Sequence, residues 1–266
     1  MKKTVIAAAL ASTVFSGAAM AWSPGALDSS VEIGGNIQVT PFITPWEVEV
    51  GASVSDLHAN ITKGVKVVDI PVTKAIPILG IRTATKDAFM GQVAGSNISP
   101  QIDFHGAVKL NGFVKNTTTL DLPVVDADNP TTRIGKMETE FTSAAQVSWK
   151  RISDSYSEQN PVWANVAGEG FFGGAPTITD ITPSSGGETL AIINSISPSY
   201  AENYLHQDGI HKGASTAGFS NTGASYSGVY GSGILAGSNI KVTLDTPMAD
   251  EAIKWKASMP VTVTYQ

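Results

Sequence analysis

Apolar and polar residues alternate with period two in short runs along this chain, and that period restricts those runs to β-strands. At the near end, residues 26–39 read ALDSSVEIGGNIQV. Leu27, Ser29, Val31, Ile33, Gly35, Ile37 and Val39 fall on one face; Asp28, Ser30, Glu32, Gly34, Asn36 and Gln38 fall on the other. At the far end Trp255, Ala257, Met259, Val261, Val263 and Tyr265 alternate with Lys254, Lys256, Ser258, Pro260, Thr262 and Thr264. Between them lie WEVEVG (46–51), with Trp46, Val48 and Val50 on one face, then VKVVDIPV (65–72), QIDFHGAVKL (101–110), TTTLDLPVV (117–125), RIGKMETEF (133–141) and NIKVTLDT (239–246). Many short strands joined through Gly, Asn and Pro predict an all-β antiparallel sandwich or barrel. The 26 glycines and a charged fraction of only 15% fit that class.

One region breaks the period. From about residue 143 to 204 the sequence is irregular, rich in aromatic, Gly and Ser residues, with two short helical candidates, ETLAIINSI and SYAENYLHQ. A basic sandwich needs only about 100 residues, so a segment of about 143–225 reads as an irregular, short-helical insertion mounted on the scaffold. Loops carried by rigid sheets are where binding residues concentrate. The Gly/Ser-rich stretch 221–239, with Tyr226 and Tyr230 interleaved, is expected to be strand.

Residues 1–21 read as a secretory signal peptide: Lys2 and Lys3, an apolar run too short to span a membrane, then Ala19-Met20-Ala21 as a cleavage site. The mature chain is then expected to start at Trp22. Loss of Lys2 and Lys3 leaves 15 basic residues against 23 acidic ones, a net charge of about −8. An acidic chain lacks the basic surface that neutralises phosphates, so nucleic acid is not an expected partner. The sequence contains no cysteine, so a packed core or a partner, rather than disulfides, must supply stability.

The two ends form a pair of complementary features. Pro260 lacks a ladder donor, which places the last strand at an edge or turns that amide outward. An edge strand with bulky inward side chains presents unpaired backbone beside an apolar groove, and such edges accept a strand from another chain. The near-end strand of one copy fits that groove in the next: donor-strand complementation, a head-to-tail contact that does not close and so builds a fibre. Leu27, Val31, Ile33 and Ile37 would contribute roughly 6–12 kcal/mol of gross apolar burial to it. On pattern alone, an N-terminal strand that folds back into its own domain remains an open alternative.

The opening WSPGALDSSVEIGGNIQVTPFITPWEVEVG resembles the mature N-terminus of the FaeG-type major fimbrial subunits and adhesins of enterobacterial chaperone–usher pili. Trp22, Gly25, Ser30, Val31, Ile33-Gly34-Gly35, Ile37, Trp46 and Val50-Gly51 carry the likeness. IPILGIRTATKDAF, SPQIDF, FFGGAP (171–176), GILAGSNIKVTL (233–244), Trp255 and PVTVTYQ continue it along nearly the whole chain, most weakly between about 143 and 225. The resemblance implies an incomplete immunoglobulin-like sandwich, with 22–39 as donor-strand extension and 40–266 as the pilin domain. It implies a periplasmic chaperone, an outer-membrane usher and neighbouring identical subunits as partners, and a place in a fimbrium on the bacterial surface. Leu27, Ser29, Val31, Ile33, Gly35 and Ile37 become the donor residues. Trp255, Ala257, Met259, Val261, Val263 and Tyr265 become the acceptor groove, with the penultimate Tyr265 as the chaperone-recognition aromatic. The glycine that many pilins carry fourteen residues from the end is replaced here by Ile253. The family's major subunit is itself a lectin for host glycoconjugates, which directs attention to Trp163, Glu169 and Phe171: an aromatic face stacks on a sugar's C–H surface, and a carboxylate accepts from its hydroxyls.

Catalytic signatures are missing. The four histidines, His58, His105, His206 and His211, show no close ligand spacing, so no metal and no cofactor are expected. There is no G-x-S-x-G elbow and no cysteine nucleophile. The expectation is therefore a fimbrial subunit with lectin activity. A purely structural or minor pilin is the alternative, and a secreted glycan-active β-sandwich enzyme the remote one.

Overall fold

The computed structural model describes residues 34–35, 44–93, 98–177 and 186–266. The chain divides into two units, Met1–Phe42 and Ile43–Gln266. In the first, only Gly34 and Gly35 are described; both are exposed, in no regular element. The expected signal peptide and the donor residues Leu27, Ser29, Val31, Ile33 and Ile37 lie outside the described residues.

The second unit is an all-β sandwich bearing a small helical insertion. Its strands are β1 (Trp46–Val50), β2 (Val67–Pro71), β3 (Ile76–Thr83), β4 (Phe89–Met90), β5 (Pro100–Asp103), β6 (Thr117–Asp126), β7 (Arg133–Arg151) and β8 (Ser157–Pro161). The helix α1 (Gly186–Ile196) follows, then β9 (Ile210–His211), β10 (Ala224–Ile234), β11 (Asn239–Leu244), β12 (Trp255–Ala257) and β13 (Thr262–Tyr265).

The 19-residue strand β7 is the spine. Residues 135–138 pair with β11 and residues 142–151 with β10, while its other edge takes β6 and then β8. Two strand orders thus share β7: β2–β11–β7–β6–β12 and β1–β3–β10–β7–β8–β9. Burial tracks this division. In the first half Gly135, Met137, Thr139 and Phe141 are buried and alternate with exposed or half-exposed residues, the mark of a sheet with one wet face. From Phe141 to Ser148 every residue is buried, because the insertion covers the second face.

That second half includes residues 143–151, which the sequence suggests as the start of the insertion. With both faces buried there is no solvent-facing position to mark the period, so the strand reads as irregular. Between β7 and β10 the inserted residues are 152–223. ETLAIINSI forms α1 as expected, whereas SYAENYLHQ yields only a 3-10 turn at Pro198–Ala201. Ile193 and Ile196 of α1 pack with Tyr200 and Tyr204 on Ala144 and Val229. Gly80 and Gly231 leave the sheet surface bare for this: a Cβ on Gly80 would lie 2.4 Å from the Tyr200 ring.

On the opposite face lies the main core. Trp46 is buried, donates from Nε1 to the Ile98 carbonyl at 2.6 Å, and meets Phe89, Phe171 and Phe219 edge-on at 5.1, 5.5 and 5.1 Å. Two expectations fail locally. Val48 and Val50 do not join Trp46 inside but are 42% and 61% exposed, since nothing among the described residues covers that face of the edge strand β1 beyond Trp46. The expected strand 101–110 stops at Asp103. There the Asp103 carboxylate accepts from the His105 amide at 2.6 Å, and His105 and Gly106 take positive φ, an Asx-type turn that ends the ladder.

Candidate functional site

The C-terminal segment alternates in the structure as it does in the sequence. Trp255, Ala257, Met259, Val261, Val263 and Tyr265 are half-buried and pack on the main core, while Lys254, Lys256, Ser258, Pro260, Thr262 and Thr264 are exposed. Pro260 falls in the break between β12 and β13 and so interrupts no ladder. Each piece pairs on one side only. In β12, Trp255 and Ala257 lie opposite Asp126 and Val124 of β6; in β13, Thr262–Tyr265 lie opposite Asp103–Pro100 of β5. Ser99 and Gln266 exchange both backbone hydrogen bonds, at 2.8 and 3.0 Å, and seal the end. Among the described residues no strand occupies the outer edge of either piece. The result is a row of half-covered apolar side chains beside unpaired backbone. Burial raises the Tyr265 phenol above its ordinary pKa, with a hydrogen bond to Thr44 opposing the shift.

The loop containing the three expected sugar-contacting residues joins this edge through β5. On the side of β5 away from β13, the Phe171 amide donates to Pro100 and the Ile102 amide to Phe172, both at 2.8 Å. The buried Gln101 side chain donates to the Glu169 carbonyl at 2.8 Å and accepts from the Gly168 amide at 2.9 Å. Two regions read separately in the sequence are therefore neighbours across one four-residue strand.

The structure parts the three residues themselves. Phe171 is wholly buried, stacked on Tyr230 at 5.9 Å and edge-on to Trp46, with φ of 65° in a turn. This corrects its assignment as a sugar contact: a side chain at zero exposure offers no face to a ligand. The Glu169 carboxylate accepts from the amides of Asn165 and Val166 at 2.8 and 3.1 Å and thereby braces its own loop. Trp163 is half-buried; its amide donates to Ser215, and its indole Nε1 has no hydrogen-bond partner.

A feature the sequence reading missed lies nearby. A cavity of about 190 Å³ is lined by Trp149, Asn160, Val162, Ser215, Asn221 and Tyr226, two aromatic side chains beside two amides. The Arg151 guanidinium lies over the Trp149 and Tyr156 rings, 5.7 and 5.4 Å from their centres, and holds that end of β7 in place. Trp149 was legible only as a member of an irregular stretch, because the strand that positions it has no visible period there. Among the described residues, no three His, Cys, Asp or Glu side chains are placed to hold a metal ion. Among the same residues, no helix is long and apolar enough to cross a membrane.

Comparison with known proteins matches residues 1–266 to the family described as fimbrial, major and minor subunit. The K88 fimbrial proteins AD and AB of Escherichia coli are each 28% identical to the chain over 289 aligned residues, and K88 fimbrial protein AC is 27% identical over 290; each alignment spans the whole of both chains.

Proposed function

The chain belongs to the K88 fimbrial family of major and minor subunits, and from that premise we propose that it joins its neighbours by donor-strand exchange. As a fimbrial subunit it is a component of a surface fibre built from identical or related subunits. In the proposed contact, residues 22–39 of one copy add as a strand to the outer edge of β12 and β13 in the next, with Leu27, Val31, Ile33 and Ile37 covering the half-exposed apolar row. The observation that carries this reading is that row: six half-buried apolar residues along an edge with a partner on one side only. Before assembly a periplasmic chaperone would occupy the same edge and an usher would deliver the subunit to the cell surface. The role is structural, not catalytic.

Deletion of residues 22–39 tests the contact. The truncated subunit is expected to accumulate with its chaperone and to form no fibres by electron microscopy; fibres of the truncated subunit would refute the exchange. Val31→Asp should act in the same direction, by placing a charge in the groove.

A second reading, adhesion to host glycans, is favoured by the Trp149 cavity and by the half-exposed Trp163 beside it along the chain segment that follows β8. A ring face and two side-chain amides are the groups that stack on and hydrogen-bond a pyranose. A self-complemented monomer, with residues 22–39 fused after Gln266, should bind on a glycan array and lose that binding in Trp149→Ala. An array that stays blank at high protein concentration would leave a purely structural subunit.

A further inference from the structure

Between β5 and β6 the chain makes a three-residue 3-10 turn, Leu110–Gly112, exposed at Asn111 and Gly112. Asn111 is the one asparagine of the sequence that glycine follows. Its side chain makes no hydrogen bond among the described residues. Other asparagines are held or shielded. Asn116, Asn160 and Asn203 donate from their side chains to the carbonyls of Ser143, Gly213 and Thr83, at 2.9, 3.1 and 3.0 Å. Asn221 accepts from the Gly223 amide at 2.9 Å. Asn194 is exposed, but the amide that follows it lies inside α1; Asn60 is exposed but precedes the β-branched Ile61.

The turn opens at little cost. The Gly112 amide donates to the Lys109 carbonyl at 2.9 Å, in the strained geometry of a 3-10 turn, where hydrogen bonds are poorer than in an α-helix. The same carbonyl accepts from Thr118 Oγ1 at 2.6 Å, so it keeps a partner when the amide leaves. The freed amide turns to water, and surface turns of this kind stand at the low end of local opening energies. Gly112 also carries no side chain to crowd an approach to its nitrogen.

We propose that Asn111 is a site of spontaneous deamidation. The Gly112 backbone nitrogen attacks Asn111 Cγ; a C–N bond forms, that nitrogen gives up its proton, and Nδ2 takes a proton and leaves as ammonia. Water then adds to either carbonyl of the cyclic imide, and the C–N bond to that carbonyl breaks. Opening at the side-chain carbonyl gives aspartate; opening at the main-chain carbonyl gives isoaspartate. One water is consumed and one ammonia released, with no oxidant, reductant or enzyme. The product carries a carboxylate where the parent was neutral, on a chain whose acidic residues already outnumber its basic ones. In the isoaspartyl form the main chain gains a carbon between two fixed points: the Leu110 carbonyl accepts from Thr177 Oγ1 at 3.2 Å, and Phe113 is buried in the main core.

Peptide mapping by mass spectrometry of the full chain, kept folded in mildly alkaline buffer over weeks, tests the site. Conversion is expected first at Asn111, with a shift of the intact chain to a more acidic band on isoelectric focusing. Enzymatic methylation of isoaspartate should label the same peptide. Gly112→Ala should lose most of the conversion and keep the fold: its Cβ would stand 3.0 Å from the Thr118 hydroxyl, which can rotate away, and Gly112 does not take positive φ. Asn111→Gln should abolish the early acidic shift. The proposal is overturned if another asparagine converts before Asn111, if Asn111 converts only in chain unfolded by denaturant, or if Gly112→Ala converts as fast as the parent.

Discussion

The two faces of the β7–β10 pair share one backbone but differ in how much of their filling is polar. On the core side Phe141, Ala145 and Val147 of β7 and Tyr226 and Tyr230 of β10 belong to an aromatic and aliphatic cluster with Trp46, Phe171 and Phe219. On the insertion side the same strands present Ala144, Gln146, Ser148, Ser225, Ser227 and Val229, all buried or nearly so. There the inserted chain is held by named hydrogen bonds. Ser148 donates to the Leu205 carbonyl at 2.5 Å, the Leu205 amide donates to Ser227 at 2.9 Å, and Gln207 bonds both Ser148 and Ser225. Shape and volume define the first face, whereas the second joins a smaller apolar cluster under α1 to these hydrogen bonds, with the buried Gln146 amide left without a partner among the described residues. The first face therefore fails through cavities, and the second through groups left unpaired.

The largest effect should come from the core face. Phe141→Ala is expected to cost about 3–5 kcal/mol and to shift the denaturant midpoint of the whole second unit. A loss under about 1 kcal/mol would show that the aromatic face is not the determining one. Gln207→Ala should cost about 1–3 kcal/mol, by stranding the polar groups of Ser148 and Ser225, and the damage should stay local. Amide exchange in 204–211 would accelerate while β6 and β11 stay protected; uniform acceleration would erase the distinction between the faces.

Tyr200 sharpens the contrast by pH. Its folded-state pKa of about 12 exceeds the ordinary value of 10.0, so the folded state holds the proton more tightly. The stability this contributes is complete below about pH 10 and is lost as pH rises toward 12. Tyr200→Phe should flatten that part of an alkaline denaturation curve, and an unchanged slope would contradict the assignment. The smallest effect is expected outside both faces. Lys254→Ala removes an exposed ion pair with Asp128, 3.2 Å long, and should leave the midpoint unchanged within error.

The same contrast explains what the sequence disclosed. The segment at 255–265 was legible because one of its faces is wet: every second residue had to be polar, and the structure keeps that alternation residue by residue, although Ile253 ahead of it is exposed. Strand β6 was legible for the same reason. The second half of β7 was not, because TSAAQVSW is buried on both faces and small or polar side chains serve both, so the period disappears. The class of the fold survived that loss, since the other strands were enough to place it. The candidate sites fared less well. Phe171 looked available because FFGGAP gives no sign that a left-handed turn swings the first ring under Tyr230.

β7 also has a mechanical meaning. Nineteen residues in extended form reach about 60 Å, and the strand is flanked by ladders on both edges over much of that length. Tension directed along it would load those antiparallel hydrogen bonds in shear, many at once, rather than peeling them one by one. The strand therefore resists stretching along its own axis as a block rather than bond by bond.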